Sequence, residues 1–152
     1  MFRGISSISV DAKGRVAIPK KHRARLQADN ANELMVTAGP ERCLLVYPME
    51  AWLPTEKKIL ALPNTDPLNR RMQRMYVGHA TEAEIDKTGR ILVPAVLRDY
   101  ASIGDQAIML GQGHRLELWG EDMWNSKSQS WPEDLEDIGQ DELSEAARDL
   151  SL

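Results

Sequence analysis

The stretch VDAKGRVAIP at residues 10–19 recurs as IDKTGRILVP at residues 85–94. Asp, Gly, Arg and Pro keep their places in both copies, and the same 75 residues separate Arg23 from Arg98. After a three-residue deletion the repeat continues at a spacing of 72 residues, pairing Val36 with Ile108, Gly39 with Gly111, Leu44 with Leu116, Tyr47 with Trp119, Glu50 with Asp122, and Trp52 with Trp124. Because a fixed-period repeat specifies a repeated structural unit, the sequence predicts two copies of about 48 residues each.

Each copy is predicted to open with a β-hairpin around its Asp-x-x-Gly turn. Ile5–Val10 and Arg15–Ile18 alternate apolar and polar side chains, as half-buried strands do. Asp11 at the first turn position and Gly14 at the fourth suit a type I turn followed by a left-handed glycine. The Asp11 carboxylate is expected to accept a backbone N–H two residues further on.

Prolines mark where the later elements of the unit begin. Pro19 fixes φ and lacks an N–H, so a helix over Lys20–Leu26 is predicted to start at that proline. The apolar runs Leu34–Ala38 and Cys43–Tyr47 predict a second strand pair, and a second helix is predicted at residues 48–52. The predicted fold class is therefore α+β, with two tandem ββαββ units that each close on a short helix.

The segment between the copies, residues 54–78, is predicted to be a helical hairpin. Lys57–Leu62 favours a helix, residues 63–67 break it, and Asp66 caps a second helix that has Pro67 in its first turn. This second helix carries three arginines at one-turn spacing, Arg70, Arg71 and Arg74. They are interpreted as a solvated linker face, and contact with phosphate or with another subunit is the alternative.

The net charge of −4 hides a segregation of charge along the chain. Residues 1–78 hold 13 Lys/Arg and 7 Asp/Glu, whereas residues 132–152 hold 1 and 8. Between positions 3 and 25 a single acid, Asp11, accompanies seven bases, which are Arg3, Lys13, Arg15, Lys20, Lys21, Arg23 and Arg25. This basic patch keeps a nucleic-acid partner open despite the acidic total.

No pattern for catalysis, metal binding or a cofactor is visible. His22, His79 and His114 are scattered and form no H-x-x-x-H pair or Cys/His cluster. Gly111-Gln112-Gly113 lacks the rest of a dinucleotide fingerprint. The single cysteine, Cys43, is interpreted as a buried strand thiol in a reducing compartment. With neither a signal peptide nor a membrane-spanning run in the sequence, we expect a cytoplasmic protein that is not an enzyme and has no cofactor.

The Asp-x-x-Gly-Arg turn has two interpretations. In the first, Asp11 and Arg15 pair only to hold the turn, and exposed ion pairs of this kind contribute about 0 to 1 kcal/mol. In the second, the turn presents Arg15, Lys13 and the helix start Lys20-Lys21 on one edge, where guanidinium groups meet phosphates or a guanine edge. Two copies that keep the pattern while their neighbours differ favour a specified geometry, without separating folding from binding.

The doubled Asp-x-x-Gly-Arg hairpin ending in Pro, with Trp52 and Trp124 closing the copies, resembles the MraZ family. Met1–Gly4 and Val77–Ala80 are similar to it as well, and the likeness spans essentially the whole chain. The resemblance implies two SpoVT-AbrB units whose hairpins interlock in one swapped-hairpin barrel. The implied divisions are a first unit at 5–53, a helical linker at 54–79, a second unit at 80–126 and an acidic tail at 127–152.

The resemblance also implies a sequence-specific DNA-binding regulator that represses its own promoter and the division and cell-wall gene cluster. Such a regulator binds short tandem repeats of double-stranded DNA as a closed homo-oligomeric ring, in the cytoplasm and nucleoid. The candidate DNA-binding residues are Arg3, Asp11, Lys13, Arg15, Lys20, Lys21, Arg23, Asp86 and Arg90. Where the first copy has Lys13 and Lys20, the second has Thr88 and Ala95, so the first copy is expected to make most DNA contacts.

Two alternatives stay open beside this function. A ring could display its hairpins to proteins and bind no DNA, or the chain could be an antitoxin-like regulator with an AbrB fold, which the doubled unit disfavours. Beyond Trp131 the acidic tail is predicted to form an amphipathic helical segment through Leu135, Ile138, Leu143, Ala146 and Leu150. Solubility and one packed face explain this tail, and shielding of the basic patch when DNA is absent is the sharper hypothesis.

Overall fold

The computed structural model describes residues 1–150, in which strands and helices follow the predicted order closely. The strands are β1 (Phe2–Ser9), β2 (Arg15–Ala17), β3 (Glu33–Ala38), β4 (Leu44–Pro48), β5 (Thr81–Glu84), β6 (Arg90–Leu92), β7 (Gln106–Gly113) and β8 (Arg115–Gly120). The helices are α1 (Lys20–Ala28), α2 (Met49–Leu60), α3 (Pro67–Met72), α4 (Ala95–Tyr100), α5 (Glu121–Ser128), α6 (Trp131–Asp137) and α7 (Glu145–Arg148).

The two copies share their sheets. A six-stranded antiparallel sheet has the order β1-β7-β8-β4-β3-β5, and β2 pairs with β6 in a separate two-stranded sheet. The first strand of each copy therefore pairs with the third strand of the other copy, β1 along β7 and β5 along β3. The α+β class is confirmed, and each copy completes the sheet of the other.

The predicted hairpin pairing in the first copy is wrong, although its turn is confirmed. One isolated bridge joins Val10 to Val16, and beyond it β1 follows β7 while β2 follows β6. The turn is closed, because the Asp11 N–H donates to the Arg15 carbonyl and the Gly14 N–H donates to the Asp11 carbonyl, both at 3.0 Å. All eight residues of β1 pair with β7, which the three residues of β2 could not provide.

Two hydrophobic clusters lie on opposite faces of the large sheet. Leu34 and Val36 belong to one cluster and Met35 to the other, since alternate residues of a strand face opposite sides. The first cluster also holds apolar residues of β2, β6, α1 and α4, so the small sheet and these helices cover one face. The second cluster packs the other face against Trp52 of α2 and includes Cys43, which is buried directly before β4.

The first linker helix differs from the prediction. The sequence predicts separate helices at 48–52 and 57–62, whereas α2 continues through Pro54 to Leu60. Trp52 is buried, and its indole N–H donates to the Glu56 carboxylate at 3.2 Å on the next turn. The contact between Trp52 and Glu56 stabilises the helix across Pro54, although the proline lacks one backbone donor.

The second linker helix starts as predicted. The Asp66 carboxylate accepts the N–H of Leu68 at 2.8 Å, which caps α3 directly before Pro67. Arg70 donates to the Asn64 carbonyl at 2.7 Å, and a π-helical turn over Gln73–Val77 follows α3. Within residues 1–150 no helix is long and apolar enough to cross a bilayer.

The acidic tail is helical only in short pieces. The predicted amphipathic helix ends at Ile138, whose backbone is extended, and α7 begins after a 3-10 turn over Gln140–Glu142. Ile138 and Leu143 are half-buried, whereas Leu135, Ala146 and Leu150 are exposed, so the expected packed face forms only in part. The contact is made earlier, by Trp131, whose ring lies 6.0 Å from Trp119 in an edge-to-face arrangement.

Candidate nucleic-acid interface

The small sheet brings the two motif arginines onto one surface. Arg15 pairs with Leu92 and Ala17 pairs with Arg90, so these four residues point to the same side of the β2–β6 sheet. The central pair on the other side, Val16 and Ile91, is buried in the core. We call the first side the outward face, defined by Arg15, Ala17, Arg90 and Leu92.

Asp11 joins both arginines of the outward face. Its Oδ1 accepts the backbone N–H groups of Lys13 at 3.0 Å and Arg15 at 2.9 Å. Its Oδ2 accepts the Arg15 Nε–H at 2.7 Å, and Nη1 of Arg90 lies 3.5 Å from the same oxygen. About a third of each of the three side chains is exposed, namely 32%, 35% and 33% for Asp11, Arg15 and Arg90. The first turn therefore positions an arginine from each copy.

The second turn differs because Thr88 stands where the first has Lys13. Asp86 Oδ1 accepts the Thr88 hydroxyl at 2.8 Å and the backbone N–H of Arg90 at 2.9 Å. The Arg90 Nε–H donates to the Thr88 hydroxyl at 2.8 Å and lies 3.5 Å from Asp86 Oδ2. Thr88 thus takes the place that the aspartate has in the first turn, and the guanidinium of Arg90 extends towards Asp11.

These hydrogen bonds stabilise the ionised carboxylates of both turns. The backbone N–H of Arg15, with further help from its side chain and from the N–H of Lys13, lowers the pKa of Asp11 to about 2. The backbone N–H of Arg90 and the Thr88 hydroxyl lower the pKa of Asp86 in the same way. Both turns are therefore held in the charged form at neutral pH.

We expect the Asp11 carboxyl carbon to titrate near pH 2 in an NMR pH series. Since the pKa in the folded chain lies below the ordinary 3.8, the turn adds stability above about pH 4 that is lost as the pH falls towards 2. In Arg15→Ala the backbone hydrogen bond remains, so the midpoint should rise but stay below 3.8. A wild-type midpoint at or above 3.8 would contradict this account of the turn.

Arg23 and Arg98 hold the two turns from the opposite copy. The guanidinium of Arg23 packs against Gly89 and approaches the Thr88 carbonyl at 3.5 Å. Arg98 packs against Gly14 and donates to the Val93 carbonyl at 3.0 Å. Arg23, a predicted DNA contact, thus lies at the junction of the copies. The role of Arg98 was not predicted from the sequence, although the repeat pairs Arg98 with Arg23.

The other candidate residues are divided between two places. Lys13 and Lys20 are exposed, at the turn and at the start of α1. Arg3 and Lys21 line a separate cleft at the beginning of β1, where the Lys21 ammonium lies against Gly4. At about 3.3 Å per residue along a strand, the chain from Arg3 to Asp11 spans at most roughly 25 Å. The predicted single edge therefore consists of two basic sites.

Neither a metal site nor a reactive thiol is formed by the residues that the structure describes. No three His, Cys, Asp or Glu side chains gather within residues 1–150 in a way that could hold a metal ion. Burial, followed by the charges of Glu117 and Glu41, raises the pKa of Cys43 to about 12. A thiol that stays protonated is a poor nucleophile, so Cys43 is a core residue.

The chain is similar to proteins of one family over its whole length. The family model of the MraZ protein, whose description includes the words antitoxin-like, matches residues 1–75 and again 76–143. A protein of Coxiella burnetii named transcriptional regulator MraZ is 44% identical over 153 residues, covering all of both chains. One from Hydrogenovibrio crunogenus with the same name is 44% identical over 152 residues, covering 99% of this chain and 98% of its own. A third, from Methylobacillus flagellatus, is 46% identical over 129 residues, covering 85% and 87%.

The doubled turn, the matching of the family model to both halves and the full-length likeness lead to one assignment. The relatives match the chain over essentially its whole length, and the family model matches each half separately. The chain belongs to the MraZ family.

Proposed function

We propose that this protein is a transcriptional regulator that binds specific DNA through the outward face and represses its own promoter. The observation that carries the proposal is that Arg15 and Arg90 lie on one exposed surface and both contact Asp11. The relatives are named transcriptional regulators, which supports the same function. Cytoplasm and nucleoid are the proposed location.

The hydrogen bond from Arg15 to Asp11 prepares the arginine for recognition. It uses Nε, and among residues 1–150 no hydrogen bond or ion pair involves the two terminal nitrogens of Arg15. A guanidinium held by Nε presents its terminal N–H groups as a fork, which suits the O6 and N7 atoms of guanine or two phosphate oxygens. Arg90 lies beside it, so we propose that both copies contact DNA and that the second does more than complete the fold.

The remaining features of the proposal concern assembly. We propose SpoVT-AbrB units at 5–53 and 80–126 that form a swapped-hairpin barrel, and a closed ring of chains that presents one outward face per subunit. A few cationic contacts per subunit give only weak binding at physiological salt, about 10⁻⁴ to 10⁻⁶ M. Several equal faces on several equal DNA repeats raise the affinity through effective concentration. Short tandem repeats upstream of the gene, in the division and cell-wall cluster, are the operator this arrangement needs.

Fluorescence anisotropy with the DNA upstream of the start codon tests the proposal. We expect saturable binding to DNA that contains the direct repeats, and much weaker binding to a scrambled duplex of equal length. The logarithm of the affinity should fall steeply with the logarithm of salt concentration, by about 0.9 per phosphate contact. A mass measurement in the same buffer gives the size of the assembly. Equal binding to both duplexes would overturn sequence-specific recognition, and no binding to either duplex would favour a protein-binding scaffold instead.

A further inference from the structure

A second basic site lies at the opposite end of β1 from the Asp11 turn. It is a cleft of about 510 Å³ between the beginning of β1 and one face of α1. Its lining consists of Met1, Phe2, Arg3, Lys21, His22 and Arg25. We call it the β1–α1 cleft.

The charge of the β1–α1 cleft has one sign. Arg3, Lys21 and Arg25 are all exposed, and the lining includes no carboxylate. The Nε–H of Arg25 donates to Asp29, directly after α1, at 3.3 Å. The two terminal nitrogens of Arg25 can therefore bind another partner. Asp29 offsets the charge of Arg25 in part, and the lining of the cleft keeps a positive charge that attracts an anion. This is the electrostatic arrangement of an anion site.

The floor of the cleft is held in place by packing. The rings of Phe2 and His22 meet edge to face with centroids 5.5 Å apart, and both residues are buried. Gly4, at φ +88°, lets the Lys21 ammonium lie against the strand, because a Cβ there would be 2.5 Å from Nζ. The exposed cations thus lie around a floor of two packed, buried rings.

His22 is the unusual group in this floor. Only 3% of the residue is exposed, and within residues 1–150 its Nε2 has no hydrogen-bond partner. Burial, followed by the charge of Lys21, lowers the pKa of His22. An unpaired buried nitrogen is uncommon in proteins, and this one belongs to a residue that lines the cleft.

We propose that the β1–α1 cleft binds a phosphate group. Two arginine forks and one ammonium match the several oxygens of a phosphate better than a single carboxylate. Both rings of the floor are buried, so the cleft offers no platform on which a base could stack, and it recognises the phosphate itself. The phosphate comes either from the DNA backbone or from a free phosphorylated compound. A DNA source of the phosphate rests on the proposed function. One duplex can reach both the cleft and the Asp11 turn, because a separation of at most about 25 Å is less than one turn of B-DNA, about 34 Å.

Isothermal titration with inorganic pyrophosphate tests the cleft without DNA. We expect saturable binding to the full chain at an ionic strength held constant with chloride. Binding to Arg25→Gln and to Lys21→Gln should be at least about tenfold weaker, because each variant loses a hydrogen bond between two charged groups. Lys58→Gln removes an exposed positive charge from α2 and is expected to bind like the wild type. No saturable binding, or equal binding by all four proteins, would overturn the proposal.

The same variants identify the source of the phosphate. If the phosphate belongs to DNA, the affinity of Arg25→Gln for DNA should fall less steeply with salt than that of Lys58→Gln. The magnitude of the slope of log affinity against log salt should be smaller by about 0.9. An unchanged slope together with intact pyrophosphate binding assigns the cleft to free phosphorylated compounds. Arg15→Ala is expected to bind pyrophosphate normally. If neither the wild type nor any variant binds DNA while the wild type still binds pyrophosphate, the proposed function is wrong and the phosphate site in the β1–α1 cleft stands.

Discussion

Arg15→Ala should abolish specific binding to the upstream DNA and leave the fold and the assembly intact. A bidentate arginine contact to a base contributes about 1 to 3 kcal/mol, and each subunit that contacts a repeat loses one. We therefore expect specific affinity to fall by at least about 100-fold. The loss of the Asp11 pair should cost little stability, because ion pairs at partly exposed positions contribute about 0 to 1 kcal/mol.

The measurement is an anisotropy titration beside a thermal melt and a mass measurement of each protein. Lys58→Ala removes a positive charge far from the outward face and should bind DNA like the wild type. Arg90→Ala should weaken binding as well, because Arg90 shares Asp11 with Arg15. If Arg15→Ala binds DNA like the wild type, the role of the Asp11–Arg15 turn is structural only, whatever the effect of Arg90→Ala.

Gly14→Ala should lower the melting temperature by about 5 to 15 °C, which corresponds to roughly 2 to 4 kcal/mol of unfolding free energy. Gly14 has φ +89°, which is unfavourable for any residue with a side chain. A Cβ there would also lie 2.8 Å from the Val93 carbonyl oxygen and would meet the guanidinium of Arg98. The Val93 N–H donates to the Gly14 carbonyl at 2.9 Å, so any shift of the turn disturbs the junction of the copies.

Gly104→Ala is the matched control, because no atom lies within 4 Å of the Cβ it would introduce. Its melting temperature should stay close to that of the wild type. Gly89→Ala, at the equivalent position of the second copy, should resemble Gly14→Ala, since its Cβ would meet Arg23. A melting temperature for Gly14→Ala within about 2 °C of the control would contradict the close packing between the turns.

Local rules predict the parts of this molecule that depend on few residues. The Asp11 carboxylate closes its turn, Asp66 caps α3, and Pro19 directly precedes α1, as the sequence indicates. Each of these depends on a side chain and a backbone group only a few positions apart. The repeat itself predicts that both turns are built alike, and the backbone bonds of Asp86 and Arg90 agree.

The pairing of strands could not be predicted in the same way. Whether β1 pairs with β2 or with β7 depends on how much surface each partner buries, and β7 lies about a hundred residues away in sequence. Arg90 is a similar case, because its approach to Asp11 depends on the register of β2 with β6 and on a hydrogen bond to Thr88. The sequence likewise predicts separate helices at 48–52 and 57–62, whereas α2 continues through Pro54 next to the buried Trp52.

The exchange of first strands between the copies has a consequence for symmetry. Two identical chains joined in this way would be related by an exact two-fold axis, and such a dimer matches palindromic DNA. Within one chain the halves are free to differ, and Thr88 already stands where the other half has Lys13. The outward face thereby acquires a direction, and under the proposed function it would distinguish one orientation of a DNA site from the reverse. A directional face is suited to repeats that all point the same way.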